Sequence, residues 1–281
     1  REIMGFRIPQ TIVPWAYRLE HKWKELIWKK DNYSTTQFKN EVLGVSYDSA
    51  SKPITRSDLV ACCSSKYPFR YRPDDYTRKL EIFAGVDWGE GTDGTERGEK
   101  GRMKIASYSI VCLGAYIAPG IFHHFFYKKY DGAEAAPSAC VSDVLSILRA
   151  FGVRCAGVDF GYGWLANDFL CQGYGETRII KCQYFGMQME RKKYDDVGRK
   201  MQLARTEVMT DYFNSIKKQQ ILWPEWESVK HYLKDIEHIF AEYSPQRQAI
   251  LFSHKPTESD DCCHAGILCR EAADNFYGIV R

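Results

Sequence analysis

Ala84-Gly85-Val86-Asp87-Trp88-Gly89 and Ala156-Gly157-Val158-Asp159-Phe160-Gly161 are the same phrase written twice. In each, a run of small apolar residues delivers an aspartate, then an aromatic ring, then glycine. A short apolar run closed by glycine reads as a buried strand leading into a turn. An ionised carboxylate at the end of such a strand is costly to desolvate unless a cation or hydrogen-bond donors meet it. If the two strands are parallel neighbours, both aspartates emerge at the carboxyl edge of one sheet, where open α/β folds bind their ligands. An aspartate before glycine also caps ordinary turns. For either phrase alone that is the preferred reading, and the repetition brings the ligand reading level with it.

Around these strands the pattern extends in both directions. Glu81 to Asp87, Lys104 to Leu113 and Ile121 to Tyr127 read as three strands, expected to form an antiparallel meander. Ser138 to Phe151 reads as a helix burying Val141, Val144, Leu145 and Leu148, and Val153 to Asp159 as a fully buried strand. Trp164 to Cys171 is expected helical, Arg178 to Cys182 a strand, and Gln202 to Lys218 and Trp226 to Phe240 amphipathic helices. Gln248 to Ser253 then gives a late strand and Asp260 to Phe276 a last helix. This order predicts an α/β, ribonuclease H-like mixed sheet, antiparallel in its first three strands and parallel after them, with helices on both faces. Residues 1 to 79 differ in character and read as a connecting element. Within them, Trp15 to Lys30 is expected to form one amphipathic helix with Leu19, Trp23, Leu26 and Ile27 on one side, followed by a short helical stretch through Phe38 and Val42.

The last helix opens with Thr257-Glu258-Ser259-Asp260-Asp261. Acidic residues in a first turn complement the helix dipole, so the pair alone proves little. At about 100° per residue, Asp261 continues the row of Ala265, Leu268 and Ala272, whereas Asp260 lies above His264, Ile267 and Glu271. The first row belongs to the broader apolar face, so Asp261 is expected to point toward the sheet, with Asp260 in reserve. Three converging carboxylates, Asp87, Asp159 and Asp261, make a hard-oxygen site suited to Mg2+ or Mn2+. Two such ions can drive phosphodiester hydrolysis. Glu90 and Asp93 follow in a glycine-rich loop and read as solvated.

Composition sets the frame. The chain has 281 residues, 44% hydrophobic and 27% charged, enough for a sizeable core. No stretch approaches the roughly 20 apolar residues of a membrane helix, and Arg1-Glu2-Ile3-Met4-Gly5 lacks a signal-peptide pattern, so a cytosolic protein without membrane partners is expected. Ten cysteines, single or adjacent with no Cys-x-x-Cys, are expected to be buried reduced thiols. Cys262-Cys263-His264 with His254 brings soft donors close together, but neighbouring helix cysteines point about 100° apart, against a zinc site. The net charge of +3 names no partner. From Arg178 to Lys218, however, ten Lys or Arg stand against five Asp or Glu. Such a run is usually a solvated face and by itself only hints at phosphate binding; Lys192, Lys193, Arg199 and Lys200 are its candidates.

Gly5-Phe6-Arg7-Ile8-Pro9-Gln10, Val13-Pro14-Trp15 and Gln37-Phe38-Lys39-Asn40-Glu41-Val42-Leu43-Gly44 resemble the connector that follows the ATPase motor in large terminase subunits of tailed bacteriophages. The two Gly-Val-Asp phrases resemble the first two acidic motifs of the terminase nuclease, and Asp260-Asp261 with Ala265 the third. Arg205-Thr206 through Ile216-Lys217 to Leu222-Trp223-Pro224 resembles a passage between the second and third. The resemblance implies a metal-dependent endonuclease that cuts concatemeric double-stranded viral DNA during genome packaging, with Lys192, Lys193, Arg199 and Lys200 as contacts to the DNA backbone. It also implies a motor domain, portal protein and small terminase subunit as partners, in the cytoplasm of the infected bacterial host. No Gly-x-x-x-x-Gly-Lys-Ser/Thr phosphate loop occurs, so translocation is not assigned to this chain. Residues 1–79 are expected to be the connector and end of the motor, and residues 80–281 the nuclease. A Holliday-junction resolvase or transposase of the same fold, or a non-catalytic DNA-binding assembly module, are the alternatives. The connector argues against the first two. The acidic triplet argues against the third, because carboxylates repel phosphate unless cations intervene.

Overall fold

The two repeated phrases lie side by side in parallel, in register: Ala84 is paired with Ala156, Gly85 with Gly157 and Val86 with Val158. In the computed structural model the described residues are 8–33, 38–44, 52–89, 108–161, 163–185, 191–195, 200–244, 249–255 and 257–279. Residues 1–7, Gln37, Glu90, Asp93 and Arg199, all singled out in the sequence, fall outside them.

The strands are β1 (Phe83–Asp87), β2 (Ser109–Ala118), β3 (Ile121–Tyr130), β4 (Cys155–Asp159), β5 (Ile179–Phe185), β6 (Lys192–Asp195), β7 (Lys200–Ala204), β8 (Ile221–Leu222), β9 (Phe240–Ser244) and β10 (Ala249–Ser253). The helices are α1 (Pro14–Arg18), α2 (Glu20–Asn32), α3 (Arg56–Ala61), α4 (Pro137–Phe151), α5 (Trp164–Tyr174), α6 (Arg205–Lys217), α7 (Trp226–His238) and α8 (Asp261–Phe276). Eight strands form one sheet in the order β6-β7-β5-β4-β1-β2-β3-β8, and β9 and β10 pair separately. The first three strands are antiparallel, and β1, β4, β5 and β7 run parallel. This is the ribonuclease H-like mixed sheet that the element order predicts.

Strand residues alternate between faces. Phe83 and Cys155 pack into the core layer that holds α6, α7 and α8, whereas Ala84, Val86, Ala156 and Val158 pack into the layer under α4 and α5. By the same alternation Gly85 and Gly157 face α8, and the approach there is so close that a methyl group would run into backbone. At Gly85 it would meet the Ala265 carbonyl oxygen and the Cys269 nitrogen, and at Gly157 the Leu268 carbonyl oxygen. Both glycines are therefore packing requirements of one helix. Asp87 and Asp159, two residues further on, carry the same parity and turn to the α8 side.

Several elements differ from the sequence reading. Helix Trp15 to Lys30 is broken at Leu19, which adopts an extended conformation (φ −101°, ψ 112°) between α1 and α2. On its expected apolar side Leu26 is buried, but Leu19, Trp23 and Ile27 are exposed. Lys200 to Ala204 is a strand, so the helix expected from Gln202 starts at Arg205. The helix from Trp226 stops at His238, and Phe240 opens β9. The turn-rich stretch before Pro73 contains α3, capped by Thr55 and Asp58. Its Leu59, with Ile54 and Cys62, is buried in the main core beside Trp223. Residues 52–79 are thus built into the sheet's own core, while Ala16, Leu26 and Val42 form a small separate cluster. Among the described residues no helix is long and apolar enough to cross a membrane.

Candidate metal centre

The length of the elements sets the level of the three aspartates. The Ala265 carbonyl lies over Gly85, and the Cys269 thiol donates to the Phe83 carbonyl (3.3 Å), so α8 runs antiparallel to β1. From Gly85 to Asp87 the strand rises about 6.6 Å, and from Ala265 back to Asp261 the helix rises about 6 Å. The first residue of α8 therefore stands level with the ends of β1 and β4.

Electrostatics agrees with that placement. Burial pushes the Asp87 carboxyl well above the usual aspartate range, and Asp261, Asp159 and Asp260 push it further. Asp159 and Asp261 are raised as well, chiefly by burial. A cation among these carboxylates would offset both the burial and, at Asp87, the repulsion from its neighbours.

The Asp159 and Asp261 carboxylates are held by hydrogen bonds from their neighbours. The Gly161 N–H donates to Asp159 Oδ2 (2.9 Å). Trp88 Nε1 donates to Asn167 Oδ1 (2.8 Å), and Asn167 Nδ2 donates to the Asp159 carbonyl (2.7 Å), which ties the two phrases together through α5. A side chain at Gly163 would overlap the Trp88 ring, so that glycine belongs to the same tie. Asp261 Oδ2 accepts from the Tyr108 N–H (3.2 Å) and the Ser259 hydroxyl (2.8 Å).

Asp260 has different company. Its Oδ2 lies 3.0 Å from Arg205 and 3.0 Å from His264 Nε2, and its Oδ1 is 3.4 Å from His254. Burial would raise its pKa, but His264, His254 and Arg205 outweigh burial and hold it below the usual range. His264 Nδ1 is 2.9 Å from the Tyr184 hydroxyl, so this group continues to β5. The adjacent aspartates thus keep different company: Asp261 lies near other carboxylates, Asp260 against Arg205 and two histidines.

The basic run is split. Arg191 donates to Glu271 on α8 (2.5 Å) and to Asp211 on α6 (3.2 Å). Lys192 donates to the Ile279 carbonyl (3.3 Å), 3.8 Å from Glu271. Lys193 is exposed. Lys200 lies over the Phe160 ring, 4.8 Å from its centroid, beside the second aspartate phrase.

All ten cysteines are unpaired, and all but Cys63 and Cys171 are buried. Cys262, Cys263, His254 and His264 form no soft-metal site, because both histidines turn to Asp260. Among the described residues, the Cys, His and acidic groups whose donor atoms all lie within 4.8 Å reduce to Cys112, His124 and Cys269. There His124 meets the Cys112 thiol at Nδ1 (3.2 Å) and the Tyr212 hydroxyl at Nε2 (3.0 Å), a hydrogen-bonded core.

The sequence reading missed Tyr108, Asn167, Arg205, Asp235, Ser259 and His264. Three of them stood in stretches the sequence singles out, since His264 shares the Asp260 row of α8, Ser259 lies in the acidic opening of that helix, and Arg205 opens the passage resembling the terminase. Asp235, on a helix otherwise read as amphipathic, gave no sign.

No protein-family model and no curated protein matches the sequence. Among solved structures, the large terminase of a thermophilic bacteriophage superposes with a TM-score of 0.51 at 11% identity, covering 87% of this chain and 50% of that one. The same terminase in complex with ADP gives 0.51 at 12% identity, covering 92% and 58%. The fold is thus one shared with a large terminase over about half of that protein's length. This chain spans about half the length of that full terminase. The large terminase nuclease of the thermophilic phage G20c with bound magnesium gives a TM-score of 0.49 at 14% identity, covering 76% of this chain and 95% of that one.

Proposed function

We propose that the chain is a divalent-metal-dependent endonuclease that cuts concatemeric double-stranded viral DNA during genome packaging. The observation that carries this reading is the in-register pairing of the two Ala-Gly-Val-Asp strands under α8, which turns Asp87, Asp159 and Asp261 to one side of one sheet edge. Three carboxylates are hard donors, and burial raises their affinity for protons, with neighbouring carboxylates adding to it at Asp87, so they fit Mg2+ or Mn2+ better than a soft metal. Two such ions, when bound, would supply Lewis-acid polarisation of the phosphodiester and a water of lowered pKa.

The chain's own residues have distinct parts. Asp87 and Asp159, fixed by the Trp88–Asn167 tie, hold ions from the sheet, and Asp261 holds them from the helix. Asp260 contributes less as a ligand, because its oxygens are already engaged by Arg205, His254 and His264. It keeps Arg205, whose side chain is 42% exposed, at the rim where an approaching phosphate would meet it. Residues 80–281 carry the nuclease, 52–79 are part of its core, and the segment before them is the connector toward an ATPase motor. Portal protein and small terminase subunit, in the host cytoplasm, complete the proposed setting.

Supercoiled plasmid incubated with the purified chain should be cut only when Mg2+ or Mn2+ is present. Asp87→Asn, Asp159→Asn and Asp261→Asn should each abolish cutting. Because each change relieves repulsion among carboxylates, the metal-free variants should melt at or above the parent's temperature. Asp260→Asn should keep part of the activity. Undiminished cutting by all four variants would sink the proposal, and a dead Asp260→Asn beside an active Asp261→Asn would exchange their roles.

A further inference from the structure

We propose that Asp235, on α7, is a positioning residue that sets Asp261 for metal binding; this rests on the metal reading of the preceding section. Asp235 is 7% exposed, on a helix whose Leu233 and Ile236 belong to the same core layer as α8. Its Oδ2 is the meeting point of three groups that flank Asp261. It accepts from the Cys262 N–H (3.1 Å), in the first turn of α8, and from the Tyr108 hydroxyl, and it stands 3.4 Å from the Ser259 hydroxyl.

Each of those groups touches Asp261 directly or by the next bond along the chain. Tyr108 donates its backbone N–H to Asp261 Oδ2, Ser259 donates its hydroxyl to the same oxygen, and Cys262 is the next residue. Ser259 has a single hydroxyl proton, and the shorter distance assigns it to Asp261 (2.8 Å). The serine oxygen in turn accepts from the Asp261 N–H (3.1 Å). Tyr108 is pinned from its other side by Lys129, whose ammonium lies 3.8 Å from the ring centroid. Asp235 is thus the common anchor of the β2 entry and the α8 start, the two backbone segments that orient the Asp261 carboxylate.

A stabilising role alone does not call for an acid here. Burial opposes the charged form of Asp235, and among the described residues it has no ion pair. A side-chain oxygen does what an apolar group cannot: it gathers an N–H and a hydroxyl from different elements at one point. Groups that orient metal ligands in this way commonly contribute about 10- to 100-fold in affinity.

Mn2+ binding to the purified chain, followed by electron paramagnetic resonance of the free ion, tests the proposal without DNA or turnover. Asp235→Ala should weaken Mn2+ binding about 10-fold or more. Asp235→Asn, whose amide oxygen still accepts from Cys262 and Tyr108, should retain most of the affinity. Tyr108→Phe, which removes one hydroxyl from the anchor, should show a smaller but measurable loss, and it carries the test if Asp235→Ala does not fold. Leu148→Ala on α4 is the control for stability alone, since Leu148 is fully buried under the opposite face of the sheet. It should lower the melting temperature and leave Mn2+ affinity unchanged. Parent-like binding in both Asp235→Ala and Tyr108→Phe overturns the proposal, as does an equal loss in Leu148→Ala. Asp87→Asn separates the two levels: if it too binds Mn2+ like the parent, the metal reading itself fails. If it abolishes binding while the Asp235 and Tyr108 variants do not, only the positioning role fails.

Discussion

His123 is fully buried on β3 against the rings of Tyr67 (centroids 4.8 Å apart), Tyr76 and Phe125, and neither ring nitrogen has a hydrogen-bond partner among the described residues. Burial, aided by Arg70, pushes its pKa down to about 4. The sign of the resulting pH dependence follows directly. The unfolded chain binds a proton at this residue below about 6.5, whereas the folded chain resists it until about 4. Stability from the neutral ring is therefore complete above about pH 6.5 and is lost as pH falls toward 4. The loss at pH 5 is on the order of 2 kcal/mol. His123→Phe keeps an aromatic ring in the stack and removes the titration. It should be neutral or stabilising at pH 7.5, and its advantage over the parent should widen at pH 5; urea unfolding of both at the two pH values measures this. An equal gap at both values would mean that the buried ring is not what titrates. The same reasoning at residue scale separates Asp260 from Asp261: neighbours in sequence, they differ because Arg205, His254 and His264 meet the first while the carboxylates at the sheet edge lie near the second.

At the scale of elements, the two phrases around Asp87 and Asp159 were legible because a buried parallel strand has no freedom to hide its composition. Their glycines are read fully only once α8 lies on them. We expect Gly85→Ala to cost about 3 kcal/mol or more, since the new methyl meets helix backbone that cannot rotate away. Gly120→Ala, at a turn with φ +74° and open space around it, should cost about 1 kcal/mol, from backbone strain alone. Denaturant unfolding compares the two, and similar costs would show that α8 yields at Gly85. Elements without such constraint were misread. Lys192–Asp195 is a polar strand at the edge of the sheet, so its alternation is weak, whereas Lys200–Ala204 lies one strand in and alternates, with Met201 and Leu203 buried, but is short and runs straight into α6 with no separating turn. Phe240 continues the apolar spacing of α7, yet Ile239 turns extended (φ −70°, ψ 135°) and starts a hairpin. Leu19, Trp23 and Ile27 have helical spacing without a core to cover them, so periodicity promised burial that the fold does not supply. Asp235 and the Tyr108 anchor were illegible for another reason. They join segments 127 residues apart, and no local pattern records a contact of that range.

Over the whole molecule the net charge of +3 is nearly balanced, so any attraction for DNA must come from where cations are left facing water. Arg191 and Lys192 look like the core of a basic patch in the sequence, but Glu271, buried on α8, draws both inward and locks the edge strand β6 to the helix that begins with Asp261. Lys193, the next residue, alternates to the other side of the strand and is exposed. One strand thus does two jobs, bracing with one face and presenting charge with the other. The consequence can be read in salt dependence. A lysine that neutralises a DNA phosphate releases counterions, and losing it lowers the slope of log affinity against log salt by about 0.9. In an Asp87→Asn background, where cutting does not interfere, Lys193→Ala should show that decrease on any duplex sequence. Lys192→Ala should leave the slope unchanged and lower the melting temperature instead, because Glu271 loses a neighbouring charge in a buried position. Fluorescence anisotropy on a labelled duplex across salt concentrations, with a melting curve for each variant, distinguishes the two residues. If Lys192→Ala changes the slope and Lys193→Ala does not, the inward-turned lysine is the one that meets DNA, and β6 must swing away from α8 to present it.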